Sequence, residues 1–263
     1  MGKNVLIKIE YDGTDFRGWQ IQPDVRTVQG EIEHVLKYIA GEDVHIHGTS
    51  RTDAGVHALG QCASFEWNSN MPVEKLPEVM NRRFGAGGEG RSGAPGDIRI
   101  LSAEVMPDGF HARYSCRGKI YRYVIDKTGD IFARNYAFQY PGASDLDVEA
   151  MREAASHIVG THDFKCFETA GGTPRETTVR TVTKLEITED RDSIIAEVSG
   201  DGFLYNMVRI IIGTLVEVGC GKKSSSDLPG IIESLNRANA GFTAPPQGLY
   251  LKEIYFEQVT SSV

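Results

Sequence analysis

The sequence predicts an α+β fold of two comparable lobes that share a sheet. Three observations carry that reading. Apolar residues alternate with period two in both halves, 3.6-residue periodicity separates the alternating runs, and each half orders them strand, helix, strand. The division falls near residues 102–108, giving an N-terminal lobe over 1–104 and a C-terminal lobe over 105–263. No residue-level repeat links the halves.

Val5, Ile7, Ile9 and Tyr11 alternate with Leu6, Lys8 and Glu10, a strand with one well-buried face that Asp12-Gly13 ends as a turn. Thr27 is placed to cap a helix whose apolar positions Val28, Ile32, Val35, Leu36 and Ile39 run to Gly41. A short strand over 44–47 leads into a loop of small residues, and 61–67 is the strand leaving it. A helix-like stretch ends in Asn81-Arg82-Arg83-Phe84, 98–105 is strand-like, and Met106 to Gly109 is a turn. Residues 110–125 read as one long strand or a hairpin around Gly118, with Tyr121, Tyr123 and Ile125 on one face. An amphipathic helix is expected over 144–160, and a strand pair over 178–187 and 193–198, turning at acidic residues 189–192. Residues 206–218 make a strongly apolar helix, 227–237 a shorter one, and 249–256 the last strand.

At 263 residues, 40% hydrophobic and 24% charged, the composition is that of an ordinary globular protein. No apolar run approaches the roughly 20 residues that span a bilayer, and residues 1–4 lead straight into a strand pattern, so a cytoplasmic protein is expected. Cys62, Cys116, Cys166 and Cys220 stand far apart with no C-x-x-C pair. That spacing favours buried free thiols over a metal site or a redox pair. Gly85-Ala86-Gly87-Gly88-Glu89-Gly90 has the form G-x-G-x-x-G, yet it follows a helix-like stretch and opens no amphipathic helix. Segment 85–96 therefore reads as a surface loop.

The most informative stretch is His47 to Gln61. It sets Asp53 two positions after Arg51 among Gly48, Thr49, Ser50, Ala54 and Gly55. Small residues allow a ligand close to the backbone, and an arginine beside a carboxylate favours the ionised form. A rigidly aimed carboxylate suits a nucleophile or a proton acceptor. Spacing alone favours a surface loop with an i,i+2 ion pair over such a role.

The whole string Arg51-Thr52-Asp53-Ala54-Gly55-Val56-His57-Ala58, with Gln61 behind it, resembles the signature of the TruA family of tRNA pseudouridine synthases. Tyr11-Asp12-Gly13-Thr14 with Gly18-Trp19-Gln20 resembles the family's opening segment, and Phe110-His111-Ala112-Arg113-Tyr114 with Tyr121-Arg122-Tyr123 its central one. The segments 203–209 and 244–251 resemble its last two, so the matches run in family order over nearly the whole chain. The resemblance implies two lobes about a central, mostly antiparallel sheet with an active-site cleft between them. It implies isomerisation of uridine to pseudouridine in the anticodon stem-loop of tRNA, at about positions 38–40, after the base has left its stack. No cofactor and no metal is implied, and a homodimer is. Asp53 becomes the catalytic carboxylate, either adding to C1′ or taking a proton from C2′. Arg51 pairs with it and fills the space of the flipped base, Tyr121 stacks on the uracil with its hydroxyl placed to assist proton transfer from C5, and Arg209 contacts Asp53 or a phosphate; Arg113 is either a phosphate contact or an exposed strand residue. His57 is expected to structure the loop. Segment 85–96 is longer than the family norm.

Two other functions compete. An N-glycosidase would use the same carboxylate, but such enzymes usually show two cooperating acids. The acids near Asp53 in sequence, Glu42, Asp43 and Glu66, lie in no matching motif. A non-catalytic RNA-binding module is disfavoured because an acid in an RNA groove repels phosphate. The net charge of −8, from 28 Lys+Arg against 36 Asp+Glu, is unusual for a nucleic-acid binder. Arg51, Arg113, Arg117, Lys119, Arg122 and Arg209 fall in or beside the motifs, while acids concentrate in 145–153 and 186–192. A basic cleft on an acidic body is the expectation.

Overall fold

A computed structural model describes residues 2–85, 96–172 and 176–256; ten of the residues in the Gly-rich segment, 86–95, lie outside them. The order is β1 (Lys3–Tyr11), α1 (Val28–Ala40), β2 (His47–Gly48), β3 (His57–Trp67), α2 (Leu76–Phe84), β4 (Ile98–Met106) and β5 (Cys116–Asp126). It continues with β6 (Phe138–Gln139), α3 (Val148–Ser156), β7 (Gly160–Asp163), β8 (Val179–Glu189), β9 (Ser193–Gly200), α4 (Met207–Gly219), α5 (Leu228–Glu233) and β10 (Leu249–Phe256). The class is α+β, as the sequence predicts, and the strand pairing is mostly antiparallel, with the short β6 parallel to β5. Two compact units divide the chain: Met1–Arg117 with Leu251–Val263, and Gly118–Tyr250.

In the first unit the strands run β4-β1-β3-β10. Val5, Ile7, Ile9 and Tyr11 of β1 are all buried, as their alternation requires. Helix α1 begins where Thr27 accepts the Gly30 amide and ends at Gly41, whose φ of 77° is the left-handed cap glycine favours. Its buried face is Val28, Ile32, Val35 and Leu36, each side chain stabilising by about 1.5–3 kcal/mol when fully removed from water. Where the β1–β4 register slips between Lys8 and Ile9, the Asn81 side chain takes over. It donates to the Ile100 carbonyl at 2.9 Å and accepts the Ile100 amide at 2.7 Å, tying α2 to β4.

In the second unit the order is β5-β9-β8-β7. Tyr121, Tyr123 and Ile125 all point inward from β5, as expected. Helix α4 is buried on nearly every side, and it lies so close to the 241–242 backbone that a Cβ on Gly241 would sit 2.6 Å from Thr214.

Five elements depart by more than two residues from the bounds the sequence predicts. Residues 110–115 are a turn and β5 starts at Cys116, because Ser115 Oγ accepts the His111 amide at 3.2 Å and His111 Nδ1 accepts that of Arg113 at 3.1 Å. Helix α3 covers only part of 144–160, since Asp147 caps it by accepting the Ala150 amide at 2.9 Å. Helix α5 stops at Glu233, two residues before Leu235 takes φ 54°. Strand β2 is only His47–Gly48, while β3 begins at His57, four residues before the expected start. Nine of the eleven β3 residues are buried, so it lacks the alternation that would have announced it. Of the four free cysteines, Cys62 and Cys166 are buried and Cys116 is partly so, but Cys220 is exposed.

Candidate active site

The loop 49–56 between β2 and β3 carries Arg51 and Asp53, the former exposed and the latter half-buried. Its first two residues are fixed from β3. The Thr49 amide and hydroxyl both donate to the Cys62 carbonyl, at 2.9 and 3.0 Å. Gln61, fully buried, donates to the Ser50 carbonyl at 2.7 Å and accepts the Ser50 amide at 3.3 Å. A side-chain amide thus serves as a rung beside the two-residue β2, satisfying backbone groups that burial would otherwise strand.

The centre of the loop is held from the other side by the segment after β1. The Trp19 amide donates to the Thr52 carbonyl at 3.0 Å, and the Tyr11 hydroxyl lies 2.7 Å from Thr52 Oγ1. The Val56 amide closes a turn onto the Asp53 carbonyl at 3.2 Å, and the Gly55 amide reaches Phe16 at 3.4 Å. Glycines make the approach possible. A Cβ on Gly13 would lie 2.5 Å from the Val56 carbonyl carbon, and Gly18, at φ 92°, faces the Thr52 oxygen. His57, only 2% exposed, accepts the Gly13 amide through Nδ1 at 3.0 Å, with Asp12 Oδ1 at 3.2 Å. It is a buried organiser of the loop, as expected. Residues on both sides of Asp53 are therefore held by two separate segments, which pre-sets where its carboxylate can point.

Arg113 lies in the same unit, exposed on the 110–115 turn. Tyr121 and Arg209 belong to the second unit. Tyr121 is opposite Val198 on β9, 7% exposed, and its ring stands edge-on to Phe203 with centroids 5.2 Å apart at 87°. That T-shaped contact fixes the plane of the phenol. Arg209, in the first turn of α4, donates from Nε to the Ala244 carbonyl and from Nη1 to Asn206 Oδ1, both at 2.7 Å. Asn206, at φ 61°, in turn donates to Thr169 Oγ1 at 2.7 Å. The Tyr123 hydroxyl donates to the Pro245 carbonyl at 2.7 Å, and burial pushes its pKa up. Arg122 is cross-strand from Glu197 and bonds it at 2.9 Å, which offsets one of the cations expected to be basic surface.

Sequence reasoning singled out Asp53, Arg51, Tyr121, Arg209 and Arg113 and expected Thr52 to shape the loop, but passed over the residues that hold Thr52 and Tyr121 in place: Trp19, Tyr11 and Phe203. Only their place inside the matched motifs signals them. Among the described residues no three His, Cys, Asp or Glu gather as a metal site, and no helix is long and apolar enough to cross a membrane.

Comparison with known proteins agrees with the motif order. The family model described as tRNA pseudouridine synthase matches residues 7–115 and 154–257. The tRNA pseudouridine synthase A of Thermoanaerobacter sp. (strain X514) is 45% identical over 258 residues, covering 97% of this chain and 100% of that protein. Its counterpart in Acetivibrio thermocellus is 45% identical over 254 residues, with coverage of 97% and 100%. The one in Ruminiclostridium cellulolyticum is 46% identical over 257 residues, with the same coverage. Motifs in family order, a model matching most of the chain and full-length identity of this size together place the chain in the TruA family of tRNA pseudouridine synthases, which are isomerases.

Proposed function

We propose that this chain converts uridine to pseudouridine in the anticodon stem-loop of tRNA, at about positions 38–40, with Asp53 as the catalytic carboxylate and with each target base flipped out of its stack. The observation that supports this most is the double support of the Asp53 backbone, from Trp19 and Tyr11 at Thr52 and from the turn at Val56. A surface ion pair needs no such pre-positioning. A carboxylate acting on one sugar carbon does, since catalytic groups lose efficiency steeply when misplaced.

In the proposed reaction the C1′–N1 and C5–H bonds break while C1′–C5 and N1–H bonds form. The product is an isomer of the reactant, so the change requires no oxidant, reductant or cofactor. Asp53 either adds to C1′ or removes a proton from C2′. Arg51, exposed on the same loop, fills the space of the departed base. Tyr121 offers its ring to the uracil, a stacking contact of about 1–3 kcal/mol. Arg113 and Arg209 meet phosphate, or in the case of Arg209 the carboxylate itself. The enzyme works as a cytoplasmic homodimer without a metal.

The test is tRNA labelled with tritium at C5 of uridine. The parent enzyme is expected to release tritium and leave the RNA chain intact. Asp53→Ala is expected to release none while its tRNA affinity changes less than tenfold, about 1.4 kcal/mol. Turnover by that variant would reject the assignment. Free uracil would indicate an N-glycosidase, and binding without either product an RNA-binding module.

A further inference from the structure

Three rings are stacked on the surface of the first unit beside the loop that carries Asp53. His47 and His111 lie with centroids 4.8 Å apart at 29°, and His111 and Tyr114 at 4.5 Å and 36°. His111 is the middle ring and is half-buried, whereas His47 and Tyr114 are exposed, Tyr114 to 77%. One residue of β3 organises the stack. Ser64 pairs with His47 across the β2–β3 ladder, and its hydroxyl accepts the Ala112 amide at 2.9 Å, which anchors the turn bearing the other two rings. The turn is closed by the Tyr114 and Ser115 amides, both donating to the His111 carbonyl, at 3.1 and 2.9 Å.

Such a stack is not core packing. A core would bury the outer rings, and a tyrosine this open presents a ring face to water on a backbone that has little freedom left. Arg113, between the two rings of the turn, is exposed, and so is Arg117. Burial first, and then His47 and Arg113, hold the His111 pKa below the ordinary value. An open aromatic face beside guanidinium groups recognises an unpaired base and its phosphate, the combination that binds single-stranded nucleic acid.

We propose that the His47–His111–Tyr114 stack is an RNA-stacking platform, on which an unpaired base of the tRNA lies against Tyr114 while Arg113 meets the adjoining phosphate. The proposal rests on the tRNA reading above and adds a second contact to it, separate from the reacting uridine. His47 is followed, after Gly48, by the loop of Asp53, so a base held here fixes the strand relative to that loop.

The experiment compares parent, Tyr114→Ala and Tyr114→Trp for tRNA affinity and for C5 tritium release. Tyr114→Ala is expected to raise Kd and KM about tenfold, about 1.4 kcal/mol, with kcat nearly unchanged. Tyr114→Trp is expected to bind like the parent and to lose fluorescence as tRNA is added, because its indole stacks on a base; Trp19 and Trp67 are buried and give a constant background. Parent-like affinity of Tyr114→Ala, or an unquenched Tyr114→Trp, overturns the platform. If Tyr114→Ala does not fold, the quenching alone decides. A parent that turns over beside an unaffected Tyr114→Ala sinks the platform alone, whereas a parent that binds tRNA without releasing tritium sinks the catalytic reading.

Discussion

Replacing Gly13 with alanine puts a methyl group 2.5 Å from the Val56 carbonyl carbon, with the oxygen closer still. Ordinary van der Waals contact starts at 3.4 Å, so the two backbone segments must part by more than about 1 Å. Neither side yields easily. The Gly13 amide is held by His57 at 3.0 Å, and Val56 is held by its bond to the Asp53 carbonyl. The clash therefore passes to the turn that carries the carboxylate. Overpacking of this kind costs about 1–3 kcal/mol, and each kcal/mol lowers Tm by about 2–4 °C for a chain of this size. A catalytic group displaced by 1 Å loses on the order of a hundredfold in rate. Thermal unfolding and C5 tritium release measure the two effects on one sample. Parent-like Tm together with parent-like kcat would refute the claim that the segment after β1 sets the position of Asp53.

Three further outcomes are expected. Tyr121→Phe keeps the edge-on contact with Phe203 and tRNA binding but loses most of the rate, because its hydroxyl is proposed to assist proton transfer from C5; an unaffected rate would limit Tyr121 to stacking. Gln61→Leu removes the side-chain amide that bonds both the amide and the carbonyl of Ser50, and should lower stability by about 1–3 kcal/mol in chemical denaturation. Burial pushes the thiols of Cys62 and Cys166 up to about 12 from an ordinary 9.0, so a thiol reagent at pH 8 should label exposed Cys220 in the native protein and reach those two only after unfolding. Because the fold favours the protonated thiols, their contribution is complete below pH 9.0 and is lost as pH climbs towards 12, where alkaline unfolding should set in. Rapid labelling of Cys62 in the native state would contradict its burial.

Elements whose signals are local could be read directly. Helix α1 has its apolar face, its Thr27 cap and its Gly41 stop all within the helix and its two flanking residues, and β10 occupies the expected 249–256. Elements decided by distant partners could not. Residues 110–115 have the aromatic, alternating look of a strand, yet Ser64, far away in the chain, accepts the Ala112 amide and holds a turn there. The first four residues of β3 are not legible as strand because nearly all its residues are buried and no alternation marks its start.

The candidate site divides in the same way. Arg51 and Asp53 stand two apart, and a contiguous motif of small residues is legible without any structure. Hydrophobic periodicity by itself predicted the fold class, and the resemblance of contiguous motifs in family order carried the family and the acid on which the chemistry is proposed to turn. Which groups hold that acid was settled only in three dimensions. Tyr11 and Thr52, 41 residues apart, meet at 2.7 Å; Arg209 bonds Ala244, 35 residues away; and three rings from residues 47, 111 and 114 stack. Such contacts join side chains that share no local pattern. They form only because buried strands bring distant segments together, where every buried polar group must find a partner.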